Sequence, residues 1–285
     1  MLEIQSDFAT VSLSPELGAS ILDYALHDGR QILRPSTNPS DGFDCACYLL
    51  GPWCNRIDGG ITGYDGRFIK VPPTHPRFPL PIHGSAALLE WDVLERTTDR
   101  AALAATADWP EPFHYRSEVT YRLTDAALSI ELAITHLGEI PLHYGMGIHP
   151  WFKRTPMTML RASASHWQKT DDRMLPIGDV PIAARSAWNF DLLRGLPEDE
   201  IDTAFGGWDG TATLLIDQKL SLRISTRPEL NHYQIYSTGN DADFVCFQPV
   251  THPGNAHDMP GWPGLQMLNC NERMSIRVDF SPVLN

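Results

Sequence analysis

Tyr115-Arg-Ser-Glu-Val-Thr-Tyr-Arg-Leu123, a short polar break, and then Leu128-Ser-Ile-Glu-Leu-Ala-Ile-Thr135 decide the fold class. In both runs apolar and polar residues alternate. An extended chain points successive side chains to opposite sides, so this period places one set in a core and the other in water, as in a half-buried strand. The same alternation recurs over residues 9–13, 90–95, 212–216, 220–224 and 275–280. Composition permits a helix only at residues 101–106 and in parts of 183–193, and neither sustains a 3.6-residue period with caps. The 23 prolines and 21 glycines are spread along the chain, which suits many short strands joined by turns. No Ser/Gly-rich or Pro-rich linker divides the 285 residues, and no internal repeat has a convincing period. The expected fold is all-β, a large antiparallel β-sandwich forming one domain over residues 1–285. Trp91 in Glu-Trp-Asp-Val-Leu alternates as a core residue should.

With 22 basic against 35 acidic residues, the formal charge of −13 argues against nucleic acid or an anionic membrane as a main partner. It leaves a neutral small molecule open. Cys45, Cys47, Cys54, Cys246 and Cys270 form an odd set without the paired spacing of a metal site, and read as free thiols in a reducing compartment. The sequence shows neither a basic patch leading into an apolar run at its start nor any stretch of transmembrane length. The expectation is a soluble cytoplasmic protein, monomeric or homodimeric.

Functional residues concentrate in Gly51-Pro-Trp-Cys-Asn-Arg-Ile-Asp-Gly-Gly60. Asn55 offers two donors and an acceptor, Arg56 a rigid fork of donors, and Trp53 a flat apolar face for the C–H side of a sugar ring. Taken alone, the segment reads equally as a turn with satisfied backbone groups. It is followed by Pro81-Ile-His-Gly84, Tyr144-Gly-Met-Gly-Ile-His-Pro-Trp-Phe152, Ile201-Asp-Thr-Ala-Phe205, Tyr233-Gln-Ile-Tyr-Ser-Thr-Gly-Asn240 and Phe244-Val-Cys-Phe-Gln-Pro-Val-Thr-His-Pro-Gly-Asn-Ala256. This ordered set resembles the aldose 1-epimerase (galactose mutarotase) family, from about Leu13 to about Pro282. The resemblance implies the family's super-sandwich and a sugar substrate, with no cofactor or metal.

Interconverting α and β anomers requires a proton delivered to the ring oxygen and another removed from the C1 hydroxyl. One general acid and one general base suffice. By resemblance His149 matches the family's acid and His83 its second histidine, while Asn55, Arg56, Asp202 and Gln234 match positions that bind sugar hydroxyls. The family's base is a glutamate followed by proline, and here that position is Gln248. An amide donates and accepts hydrogen bonds but takes no proton near pH 7. Three explanations stand: a relocated base at Asp202, His252 or His257; a sugar-binding protein without turnover; or an engineered inactivating replacement. His252 and His257 with Asp258 lack the spacing of a metal site. Arg67, Lys70 and Arg77 surround a proline-rich loop, Val71 to Pro79, read as a solvated rim; Arg56, with Arg77 or Arg154 nearby, is also a candidate to recognise an anionic sugar. If residues 142–150 form one extended strand, His143, Gly145, Gly147 and His149 share a face, with the glycines leaving an open floor. Of its two imidazoles, His149 reads as functional and His143 as a surface residue.

Overall fold

The computed structural model describes residues 1–62, 66 and 68–284, and nearly all of its regular structure is strand. Among these residues, ten strands form one antiparallel sheet and nine form a second. The decisive pair occupies Tyr115–Thr124 and Ala127–His136, side by side in the nine-stranded sheet, where Ile130 faces Tyr121 and Leu132 faces Val119. Strands also form at Ala9–Ser14, Thr211–Asp217, Leu220–Arg227 and Arg273–Leu284, as the alternation predicts.

Two compositional readings are corrected. Residues 101–106, alanine-rich enough for a helix, lie in strand Arg100–Ala107, paired on both sides. Sheet pairing and burial of Ala101 and Leu103 outweigh alanine's helical preference, which is weak compared with tertiary packing. Residues 183–193 form turns without a helix. The alternation at 90–95 overstates burial too: Trp91 is in the core, but edge strand Asp92–Arg96 is exposed throughout.

The two sheets share one hydrophobic cluster, in which Phe152 of the ten-stranded sheet meets Phe280 of the other at a ring separation of 6.1 Å. Tyr121 of the nine-stranded sheet donates a hydrogen bond at 2.7 Å to the carbonyl of Ala19, in the turn that leads into strand Ser20–Leu26 of the other sheet. The inward set on the site strands is Ile148 and Phe152, Ile201 and Phe205, Tyr233 and Ile235, Val245 and Phe247, all fully buried. Their alternate neighbours therefore point to the sheet's other side, where loops build a second, smaller cluster around Phe43, Tyr48, Leu50, Ile82 and Val250. No helix among the described residues is long and apolar enough to cross a membrane. Cys45, Cys47, Cys54 and Cys246 are buried free thiols and Cys270 an exposed one.

Candidate active site

The outward face of the ten-stranded sheet carries two adjacent rows of side chains. His149 on strand Gly147–Lys153 pairs with Tyr48 on one side. On the other, Gly147 lies opposite Val250 and Trp151 opposite Cys246, which sets Gln248 level with His149. Gln248 in turn pairs with Gln234, and Gln234 with Ala204. The next row runs Trp151, Cys246, Tyr236, Asp202. Neighbouring strands lie about 4.8 Å apart, so Gln248 is about 5 Å from His149 measured across the sheet, Gln234 about 10 Å and Asp202 about 14 Å.

Above these rows is a cleft of about 460 Å³, within the usual range for small-molecule sites. His149, His83, Gln248, Asn55, Arg56, Asp202 and Gln234 all line it. The sequence reading thus names residues that the tertiary structure gathers from six separate chain segments. His83 and His149 converge, their rings 5.5 Å apart and at 89° to each other.

Backbone geometry explains why His83 is where it is. The His83 N–H donates to the Asn55 carbonyl, and the Asn55 N–H donates to His83 Nδ1, each at 3.0 Å. This reciprocal clasp holds both residues in the left-handed region, φ +58° at Asn55 and +59° at His83. Such a conformation is uncommon outside glycine and asparagine. Because Nδ1 accepts a hydrogen bond, the neutral ring carries its proton on Nε2, leaving that nitrogen a donor. Gly84 completes the turn: a Cβ added there would lie 2.1 Å from the Gly51 carbonyl oxygen.

His149 is held differently. Its imidazole is stacked between Tyr48, 4.3 Å away at 17°, and Trp151, 5.4 Å away at 27°. Burial pushes its pKa down to about 3, and burial, aided by the neighbouring His149 and Arg56, pushes that of His83 well below the usual histidine range. Both rings are therefore uncharged near neutral pH. Burial raises the Asp202 carboxyl, opposed by the Arg56 charge. His149 Nδ1, Gln248 Oε1, Gln234 Nε2 and Trp151 Nε1 are buried polar atoms without a protein hydrogen-bond partner among the described residues. An unsatisfied buried group costs roughly 1–3 kcal/mol, so these atoms leave hydrogen-bonding capacity in the cleft for partners from outside the protein.

Several expectations change. Trp53 presents no face to the cleft: it is fully buried, packed on Phe113 at 5.4 Å within the main hydrophobic cluster. Residues 142–150 are not one strand. Leu142–Tyr144 pairs with Gln266–Leu268 in a separate two-stranded sheet, the Gly145 N–H turns to the Pro52 carbonyl, and the next strand starts at Gly147. His143 accordingly leaves the cleft, is buried, and stacks on Trp262 at 4.2 Å. The glycines serve close packing, since a Cβ at Gly145 would lie 2.1 Å from His252 and one at Gly147 2.6 Å from the Pro249 carbonyl oxygen.

His252 and His257 lie behind the wall of the cleft. His252 accepts the Cys54 N–H at Nε2 and donates from Nδ1 to the Pro253 carbonyl, while His257 Nε2 donates to the His143 carbonyl. Neither lines the cleft. No group of three metal-ligating side chains occurs among the described residues. Arg77 reaches the cleft but forks onto Asp41 and Asp44. Burial alone would raise the Asp44 carboxyl, but hydrogen bonds from Ser40 and Arg77 outweigh it and hold it at about 2. Arg154 points away, donating to Ser237 Oγ and the Pro197 carbonyl. Lys70 is exposed, and Arg67 lies outside the described residues. The Val71 to Pro79 rim is only partly solvated, with Thr74 and His75 buried.

Glu200, Tyr236 and Trp151 also line the cleft. Each is two residues from a named site residue, a spacing that would have found them once the strands were recognised. Tyr48, Phe43, Phe78 and Met174 come from other segments and carry no comparable signal.

The fold is that of the galactose mutarotase-like proteins. A putative aldose 1-epimerase of Escherichia coli K12 superposes with a TM-score of 0.94 at 23% identity, covering 99% of this chain and 98% of that one. Galactose 1-epimerase from Lactobacillus acidophilus NCFM superposes with a TM-score of 0.77 at 17% identity, covering 99% and 94%. The chain belongs to the aldose 1-epimerase family, whose sequence model matches residues 1–281. In sequence it is similar to the uncharacterized protein YphB of E. coli K12, 27% identical over 264 residues, 89% of this chain and 90% of that protein. It is also similar to the uncharacterized protein YihR of the same organism, 34% identical over 106 residues, 36% and 34% of the two chains.

Proposed function

We propose that the cleft binds the pyranose form of a neutral aldose and interconverts its α and β anomers by acid–base ring opening, at a rate limited by the amide at Gln248. The observation that carries this reading is the convergence of His83 and His149 beside Gln248 at one end of the cleft. In it, the C1–O5 edge of the sugar faces this end. The Nε2–H of His83, oriented by Asn55, donates to the ring oxygen region, His149 serves as the acid that protonates the ring oxygen, and Gln248 holds the C1 hydroxyl, whose proton passes to a solvent water as C1–O5 breaks. Asn55, Arg56, Gln234 and Asp202 bind the remaining hydroxyls.

The proton inventory is the reason this reading expects a slow rate. With the His149 pKa lowered to about 3, only about one ring in ten thousand is protonated at pH 7. Asp202 stands two strands from Gln248, about 10 Å measured across the sheet, well beyond the roughly 3 Å that proton transfer from the C1 hydroxyl requires. Lack of a base lowers the rate by roughly 10²–10⁴-fold. Arg77 is paired with two carboxylates and Arg154 turns away, which leaves Arg56 without either as a second cation in the cleft and favours an uncharged sugar over a phosphorylated or sulfonated one.

Exchange NMR on freshly dissolved single anomers of common aldoses tests this. Anomer exchange exceeds that of buffer, and His149→Ala abolishes the excess; equal rates with and without protein across the panel rule the activity out. Gln248 and the uncharged His149 also motivate a second reading, a sugar-binding protein without turnover. Calorimetric binding with no added exchange would favour it.

A further inference from the structure

A second cavity of about 280 Å³ adjoins the first, and Phe43, Asp44 and Trp151 line both. Its outer wall is the segment Arg34-Pro-Ser-Thr-Asn38, and its floor is Cys45 and Ala46. The wall is firmly tied: the Arg34 N–H donates to the Trp151 carbonyl at 2.8 Å, and the Ala46 N–H donates to Ser36 Oγ at 2.8 Å. Charges in it are already matched, Arg34 with Asp243 and Asp44 with Arg77. Trp151 brings an aromatic surface shared by both cavities and a buried indole N–H without a protein acceptor among the described residues. A neutral, hydroxylated ligand with an apolar ring face suits this lining better than an anion.

Resting on the pyranose reading of the main cleft, we infer that this cavity is a second sugar subsite and that the chain accepts reducing disaccharides joined through O6 of the reducing-end hexose. The linkage follows from position. Trp151 lines both cavities and stacks on His149, so the second cavity lies beside the end of the cleft assigned to C1 and O5. In an aldohexopyranose the C6 arm leaves the ring at C5, next to O5, and its extra rotatable bond lets a substituent turn past the indole. A substituent on O4 leaves from the opposite end of the ring, toward Asp202.

Calorimetry with glucose, a 1→6-linked glucose disaccharide and a 1→4-linked one tests the inference, repeated with Thr37→Trp, a replacement in the exposed outer wall that fills the second cavity. The 1→6 disaccharide is expected to bind about tenfold more tightly than glucose, with Thr37→Trp removing that advantage and leaving glucose affinity unchanged. Equal affinity for glucose and the 1→6 disaccharide, or an advantage confined to the 1→4 disaccharide, overturns it. If none of the three binds and a panel of other aldoses also fails, the pyranose reading falls and takes the subsite with it; glucose binding that Asp202→Ala weakens shows that reading intact, so a failure of the subsite is then recognised separately.

Discussion

Replacing Gln248 by glutamate is the most informative perturbation, because it changes one atom type at the point where acid–base chemistry lacks a base. The residue is buried and level with His149, one strand away, at about 5 Å across the sheet. A carboxylate there adds a proton acceptor for the C1 hydroxyl, worth roughly 10²–10⁴-fold in rate. It also faces the imidazole. At about 5 Å and an effective dielectric near 20, a charge pair attracts by roughly 3 kcal/mol, enough to raise the protonated fraction of His149 by about two orders of magnitude. Acid and base therefore improve together. Exchange spectroscopy on an aldose labelled at C1 measures the gain, with calorimetry as control. The expected result is a rate increase of at least about 10²-fold with affinity changed less than about tenfold. Burial disfavours the charged carboxylate, so its folded pKa is raised; relative to wild type the variant should lose stability as pH rises from about 4 through that pKa. A folded Gln248→Glu protein with unchanged affinity and unchanged exchange rate would falsify the assignment of Gln248 to the C1 hydroxyl.

The other predictions address stability and the cleft walls. His149 and His252, with pKa values lowered to about 3, and His232 and His257, lowered to about 4, are buried, and burial is the leading cause in each case. Below about pH 6.5 the unfolded chain binds protons that the folded one does not, so each of these histidines removes about 1.4 kcal/mol of stability per pH unit until its folded pKa is reached. Urea midpoints should drop steeply from pH 6.5 toward 4.5, and a flat profile would refute the uncharged assignment. Gly84→Ala, which sets a Cβ 2.1 Å from the Gly51 carbonyl oxygen at φ +65°, should destabilise by about 2 kcal/mol or more and weaken sugar binding by displacing His83; thermal melts with calorimetry check both. Sugar binding should change the fluorescence of Trp151 and leave Trp53 silent, so Trp151→Phe should remove the response; persistence of the full signal would contradict the geometry. Affinity for a neutral sugar should be nearly independent of salt, and steep weakening with added salt would point to an anionic ligand.

Alternation was legible in the sequence because burial on one side of a strand leaves a period-two imprint on the strand itself. It identified Tyr115–Thr124, Ala127–His136 and most of their counterparts, and with them the all-β class. The imprint fails where neighbours dominate: alanines at 101–106 form a strand because two partners pair with them, and the edge strand Asp92–Arg96 is exposed although Trp91 before it is buried. The seven residues named from the ordered set of motifs all line one cleft. Their side-chain environments were not legible. Trp53 and Trp151 are both tryptophans beside polar motifs, yet only the tertiary structure turns the first into the core and the second against His149. The stretch around His143 reads as one strand until the contacts of Gly145 with Pro52 and His252, nearly a hundred residues or more away in either direction, break it in two. What the chain could determine locally was which side chains share a strand face. Which faces meet, which histidines lose their charge, and how far a carboxylate stands from an amide depend on distances between strands remote in sequence, and only packing decides those.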